Sequence, residues 1–282
     1  MNELTLDHVP IAWHDHEEIV AAFERVGLAP EFGGVHEEAG TQMSLVGFDD
    51  RSYVELIAPR ADAELGDAWA WTEHIRRDGG PAAWCVRTDD IVAETTRVVE
   101  AGFPVDGPHP GSRRRSDGRL VEWDRTEIGA VERRLLLPFA IADRTPVAAR
   151  VPTTPSVADG PLTGVGEVVL GVREIERAVE TFRRLYRVPR PVRAEVPEFG
   201  PVGSVPGRPV SFVTPGAEWL ADRLDRFRPG PCLCLLETRD MESARQIHPL
   251  EAPIEWPRGR VAFFDDETVG RWLGVIERPP QN

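Results

Sequence analysis

Strand-length apolar runs recur four times along the chain. Each leads into apolar positions at helical spacing. The first run is Leu6-Asp7-His8-Val9-Pro10-Ile11-Ala12-Trp13. Beyond it Ile19, Phe23 and Val26 recur at the helical period, Asp15 sits where an N-cap belongs, and Gly27 stops the helix. Strands are expected over 41–48 and 52–58, around the turn Asp49-Asp50-Arg51, so the unit reads β-α-β-β-β. The second unit has a strand over 83–88, then Asp89-Asp90 and a helix carrying Ile91, Thr95, Val98 and Val99 up to Gly102. Its later strands are expected over 119–123 and 134–141. Between helix and strands, Pro108 to Gly118 reads as a loop holding Arg113, Arg114 and Arg115.

The third unit opens at Gly166-Glu167-Val168-Val169-Leu170, with Ile175, Val179, Phe182 and Leu185 on its helix. A Pro/Gly-rich stretch over 189–209 then leads to a strand over 209–214. The fourth has a strand over 232–236, a short helix from Met241, and strands over 259–264 and 271–277. Its Phe264-Asp265-Asp266 echoes Phe48-Asp49-Asp50 of the first. Such repeats define an architecture ahead of any single motif. Little periodicity marks the region between units two and three. The expected organisation is therefore a domain over 1–146, a linker over 147–160 and a second, degenerate pair of units over 161–282.

The formal net charge is -14 over 282 residues, and all 33 basic residues are arginine. That acidity opposes nucleic-acid binding, which needs a positive footprint. No apolar run approaches a membrane span, and the N-terminal residues lack the pattern of a secretory signal, so a soluble, cytoplasmic protein is expected. The three cysteines, Cys85, Cys232 and Cys234, sit in apolar runs without Cys-x-x-Cys spacing, which reads as buried thiols. Hydrolase and nucleotide-dependent signatures are missing from the sequence.

The residues Leu6-Asp7-His8-Val9, Gly33-Gly34-Val35-His36, Tyr53-Val54-Glu55-Leu56, Arg87-Thr88-Asp89-Asp90 and Pro110-Gly111-Ser112-Arg113-Arg114-Arg115-Ser116-Asp117-Gly118 carry a resemblance. With them, residues 6–142 resemble the glyoxalase-like domain family of the vicinal oxygen chelate superfamily; the C-terminal half shares the module plan only. The resemblance implies an α+β fold of four βαβββ modules, paired two and two, with curled mixed sheets forming open cups. It implies a divalent metal (Zn, Mn, Fe, Ni or Mg) held by the first and last strands of each module. Lyase or isomerase chemistry on a small anionic or vicinal-oxygen ligand would follow, or sequestration of such a ligand without catalysis. The dioxygenase ligand set of two histidines and a glutamate in the C-terminal pair is absent.

Carried over by residue, His8 and Glu55 are the implied metal ligands, and Glu55 the implied catalytic group. Module two has Ala83 in the place of His8, and Ala142 where a carboxylate is expected. Glu122 and His36 are further ligand candidates. Arg113 and Arg115, sharing a side of the loop with Arg114 turned away, are expected to grip a ligand's acid group together with Asp117. His36 and Trp123 complete the expected ligand contacts, and Trp84 is expected in the core. His14 and His16, flanking Asp15, should diverge. The partner is expected to be a small molecule, and the protein a monomer or homodimer.

Overall fold

The computed structural model describes residues 4–36, 40–61, 71–130 and 135–279. Each of the four modules runs strand, helix, three strands. The first comprises β1 (Thr5–Ala12), α1 (His16–Arg25), β2 (Glu31–His36), β3 (Thr41–Gly47) and β4 (Tyr53–Pro59). A short α2 (Thr72–Arg76) and β5 (Gly80–Pro81) lead to β6 (Cys85–Arg87), α3 (Ile91–Glu100), β7 (Val105–Arg114), β8 (Leu120–Ile128) and β9 (Phe139–Asp143). After α4 (Val147–Arg150), the third module is β10 (Leu162–Gly171), α5 (Ile175–Tyr186), β11 (Val192–Val196), β12 (Gly200–Ser204) and β13 (Val210–Val213). Helix α6 (Glu218–Phe227) joins it to β14 (Gly230–Thr238), α7 (Met241–Ile247), β15 (Ile254–Trp256), β16 (Gly259–Phe263) and β17 (Leu273–Glu277).

Local chemistry explains the helix starts. Asp15, Asp90 and Asp240 each cap a helix by accepting backbone N–H bonds, and Glu174 holds the same N-cap position in the third module. Gly27 and Gly102, at φ of 78° and 78°, end α1 and α3 in the left-handed conformation glycine tolerates.

The first two modules curl into one mixed sheet. Strands β4 and β1, and β6 and β9, pair in parallel, and β1 pairs antiparallel with β6. The ring closes where Val35 of β2 meets Arg114 of β7. The last two modules form an eight-stranded sheet with β11 and β15 at its ends. Helix-side faces of both sheets contribute to one apolar layer, in which Trp84 stacks on Phe182 (6.0 Å, 10°) and Trp272 lies against Trp13 and Phe23. Among the described residues no helix is long and apolar enough to cross a membrane.

Three segments differ from expectation. The Pro108–Gly118 loop is largely strand: β7 runs through Arg114, and only the tip is a turn. The Pro/Gly-rich stretch over 189–209 holds the β11–β12 hairpin. Of the strand expected over 134–141, Arg134 lies outside the described residues, and β9 begins at Phe139.

Candidate functional site

A bulge sets up the site. Opposite β6, Leu6 pairs with Val86 and His8 with Cys85, leaving Asp7 as the extra residue of β1. Neighbours on a regular strand point to opposite faces; the bulge lets Asp7 and His8 meet. The Asp7 carboxylate accepts from His8 Nδ1 at 2.7 Å. With Nδ1 so engaged, Nε2 faces Glu55, 3.6 Å from Oε2. Glu55 lies two residues beyond Tyr53, the register partner of His8 on β4, so it projects from the same face. His36, at the end of β2, brings its Nε2 to 3.8 Å from the other Glu55 oxygen. Thus Glu55, 5% exposed, lies between two imidazoles, one per oxygen, with no hydrogen bond from any described residue.

The ring of Tyr53 stacks on His8 (4.4 Å, 18°), and Phe139 meets its edge at 5.3 Å. Phe139 also packs with Ala83, Cys85 and Ile141, with Trp71 and Trp123 alongside. The surroundings of His8 are therefore polar on module one and apolar on module two.

Strand register explains that asymmetry. Counting seven back from the N-caps gives His8, Ala83, Glu167 and Leu233 in the four modules. Pro10 pairs with Glu55, Cys85 with Phe139, Val169 with Ser211 and Leu235 with Gly274. Phe139, rather than Ala142, thus stands in for the second carboxylate; Ala142 belongs to the helix-side layer. In module three, Ser211 and Trp256 donate to Glu167 at 2.5 and 3.0 Å, and Arg278 pairs with it at 3.0 Å, so this carboxylate is fully buried and satisfied.

The arginines serve the chain itself. Arg113 and Arg115 do share a side and Arg114 is exposed, but Arg113 donates to the carbonyls of Gly33 and Arg150, and Arg115 to that of Ala149 at 2.6 Å. Both forks hold α4 rather than standing open to an anion, and burial lowers the pKa of Arg113. Asp117 sits at the exposed hairpin tip, accepting from the Arg119 amide at 3.0 Å. Trp123 lies over Gly111, its register partner, against the Phe139 cluster, whereas Trp84 faces the core. His14 turns to Asp78 and His16 to Ser44, diverging as expected. Glu122 is exposed.

Several groups carry shifted pKa values. For Asp7, burial works upward, but the Arg150 charge and the His8 bond outweigh it and hold the carboxyl well below its usual range. Burial keeps His36 below its ordinary value, against the pull of Glu55, and drives the Tyr53 hydroxyl and Cys85 thiol well upward. Asp7, His8 and Cys85 also place three ligand-type atoms within 4.8 Å of one another. That trio suits a metal poorly, because Arg150 and His8 already occupy both Asp7 oxygens and the buried thiol resists ionisation. His8, Glu55 and His36 suit an ion better in donor type: two imidazoles and a carboxylate, with Asp7 backing one imidazole. Their ligand atoms do not all come within 4.8 Å of one another, so holding one ion would need the side chains to draw together.

A family model described as glyoxalase-like domain matches residues 6–186. The chain belongs to the glyoxalase-like domain family. Its architecture is that of the vicinal oxygen chelate fold. The glyoxalase-like chain superposes on a hypothetical protein from Staphylococcus aureus with a TM-score of 0.62 at 13% identity, covering 97% of this chain and 99% of that one. A triple mutant of 4-hydroxymandelate synthase from Streptomyces coelicolor gives 0.59 at 14%, over 100% and 94%. A xylose isomerase-like TIM barrel/4-hydroxyphenylpyruvate dioxygenase fusion protein gives 0.59 at 12%, over 99% of this chain and 49% of that one. At these identities the likeness is one of fold. No curated protein matches the glyoxalase-like chain by sequence.

Sequence reasoning missed Asp7, Tyr53, Phe139 and Arg150. Asp7 carried a signal, since two consecutive polar residues inside an apolar strand demand a partner. Arg150 carried none.

Proposed function

We propose that the N-terminal cup binds a small oxygen-bearing metabolite beside a divalent metal held by His8 and Glu55, with His36 as the third donor, and performs lyase or isomerase chemistry there. When bound, the ion supplies Lewis-acid stabilisation of negative charge on a substrate oxygen. Glu55 holds or moves the proton, through whichever oxygen is left uncoordinated. The Asp7 bond keeps the His8 Nε2 lone pair directed inward. Trp123, Trp71 and Phe139 exclude water from the opposite side. One observation carries this reading: a buried carboxylate faces two imidazole nitrogens, without a hydrogen-bond donor of its own among the described residues. Such an arrangement calls for a cation at its centre.

The second reading is ligand sequestration without catalysis. It is favoured by Ala83 and Phe139, which leave both family ligand positions of module two without a donor. Three free, buried thiols agree with a cytoplasmic setting.

Metal analysis and zinc titration separate the two. Near-stoichiometric ion, lost in His8→Ala and in Glu55→Ala while the fold is kept, supports the metal reading. Wild type that takes up none of zinc, manganese, iron, nickel or magnesium defeats it and leaves sequestration.

A further inference from the structure

Arg150 lies on α4, beyond the last strand of the first ring, yet its side chain is 1% exposed. All five of its N–H donors are used. Nε meets Asp143 at 2.5 Å; Nη1 meets Asp7 at 3.0 Å and Tyr53 Oη at 3.2 Å; Nη2 meets Asp7 at 2.7 Å and Asp143 at 3.0 Å. Two of these partners fix His8, Asp7 at Nδ1 and Tyr53 against the ring face. The guanidinium therefore anchors both groups that decide how the imidazole sits.

The backbone around Arg150 is anchored in turn. Arg113 donates to the Arg150 carbonyl at 2.6 Å and Arg115 to that of Ala149, while Val151 packs on Met43, Leu45 and Tyr53. The second half repeats the device. β10 carries a bulge at Gly166, the counterpart of Asp7, and Arg278, just past β17, donates to the Gly166 carbonyl at 2.7 Å and to Glu167. In each half, an arginine following the second module's last strand reaches back to the bulge in the first module's first strand.

We infer that Arg150 is a positioning residue: through Asp7 and Tyr53 it fixes the ring orientation of His8 and the tautomer that carries its proton on Nδ1, leaving Nε2 to face Glu55. The inference rests on the reading of the N-terminal cup given above. Lysine cannot replace this arginine, because three donors at one point cannot span Asp7, Asp143 and Tyr53 together.

Nitrogen-15 NMR of the full chain reads which ring nitrogen of His8 is protonated, with His8→Gln identifying the signals. Zinc titration runs in parallel. Wild type should show the proton on Nδ1. Arg150→Lys should populate both tautomers and weaken zinc roughly 10–100-fold, the scale for losing support behind a ligand. Asp143→Asn, which leaves the bonds to Asp7 and Tyr53, should keep the wild-type tautomer. An unchanged tautomer in folded Arg150→Lys overturns the inference. Should that variant not fold, Arg150→Gln combined with Asp143→Asn removes one charge of each sign; mixed tautomers there support the assignment, and a single one refutes it. A tautomer response without zinc binding in wild type sinks the metal reading and leaves Arg150 in its role. Zinc binding with an unresponsive tautomer does the reverse.

Discussion

Phe139 stands in the second module where Glu55 stands in the first: each is the register partner, on its module's last strand, of the residue two beyond the ligand position on the opening strand. One substitution pattern therefore decides the polarity of half the surroundings of His8. Ala83→His with Phe139→Glu should add module two's matching pair to His8 and Glu55 and tighten divalent metal by about tenfold or more. Without metal, the same variant buries an unpaired carboxylate and should melt well below wild type, recovering on zinc addition. Thermal unfolding with and without zinc is the check, and identical curves would refute the equivalence.

Breaking the ion pair in the second half should cost more than altering the first site. Arg278→Ala strands the fully buried Glu167 carboxylate and should lose about 3–5 kcal/mol in urea unfolding. Glu55→Gln gives up no hydrogen bond to a described residue and should stay within about 1 kcal/mol of wild type. A reversed ranking would contradict the division of roles.

Arg113→Ala should act on stability. Its guanidinium satisfies the Gly33 and Arg150 carbonyls inside the fold, and leaving buried acceptors unpaired costs about 3 kcal/mol. Arg114→Ala, on the exposed side, should change stability by less than about 0.5 kcal/mol. Chemical denaturation of both variants tests the pair.

Acid should weaken the fold well before its carboxylates protonate. His74 is buried against Phe227 (4.3 Å, 23°), and burial, aided by the Arg223 charge, pushes its pKa down from 6.5 to about 3. The unfolded chain binds a proton there that the folded chain refuses, so stability falls as pH drops from about 6.5 towards 3, by on the order of 4 kcal/mol for this group. His74→Phe should flatten that slope between pH 6.5 and 4. Asp7, whose pKa is depressed, adds a separate loss only as pH falls below the usual carboxylate range. A slope unchanged by His74→Phe would rule His74 out.

A fragment of residues 1–160 should not fold cooperatively by itself. Trp84 would lose Phe182, and Trp13 and Phe23 would lose Trp272. Uncovering this shared apolar layer returns to water the helix-side burial that both halves supply to each other. Near-ultraviolet circular dichroism should show the loss, and a native-like spectrum would argue otherwise.

The legible parts of the sequence were those governed by local chemistry. Asp15, Asp90 and Asp240 announce their helices because a cap is made within three residues. His8 and Glu55 were paired through the family resemblance, not through any local pattern, and they do approach. Strand β7 was illegible because Pro108, Pro110 and Gly111 read as turn residues. They are tolerated because β7 pairs with β8 along its length but with β2 only at Arg114, so the missing donors fall on a nearly free side. The Arg113–Arg115 run was visible as charge, but its acceptors are backbone carbonyls up to 80 residues away, which no spacing reveals. Arg150 is more remote still, 143 residues from Asp7 in a stretch that reads as a linker.

The bulge shared by β1 and β10 ends in opposite outcomes. Where Asp7 occupies it, the arginine stops one residue short and the neighbouring imidazole stays available; where Gly166 occupies it, the arginine reaches the carboxylate itself and neutralises it. On the proposed reading, one repeated scaffold keeps a single working address per polypeptide, and a titration to saturation should end at one equivalent, not two.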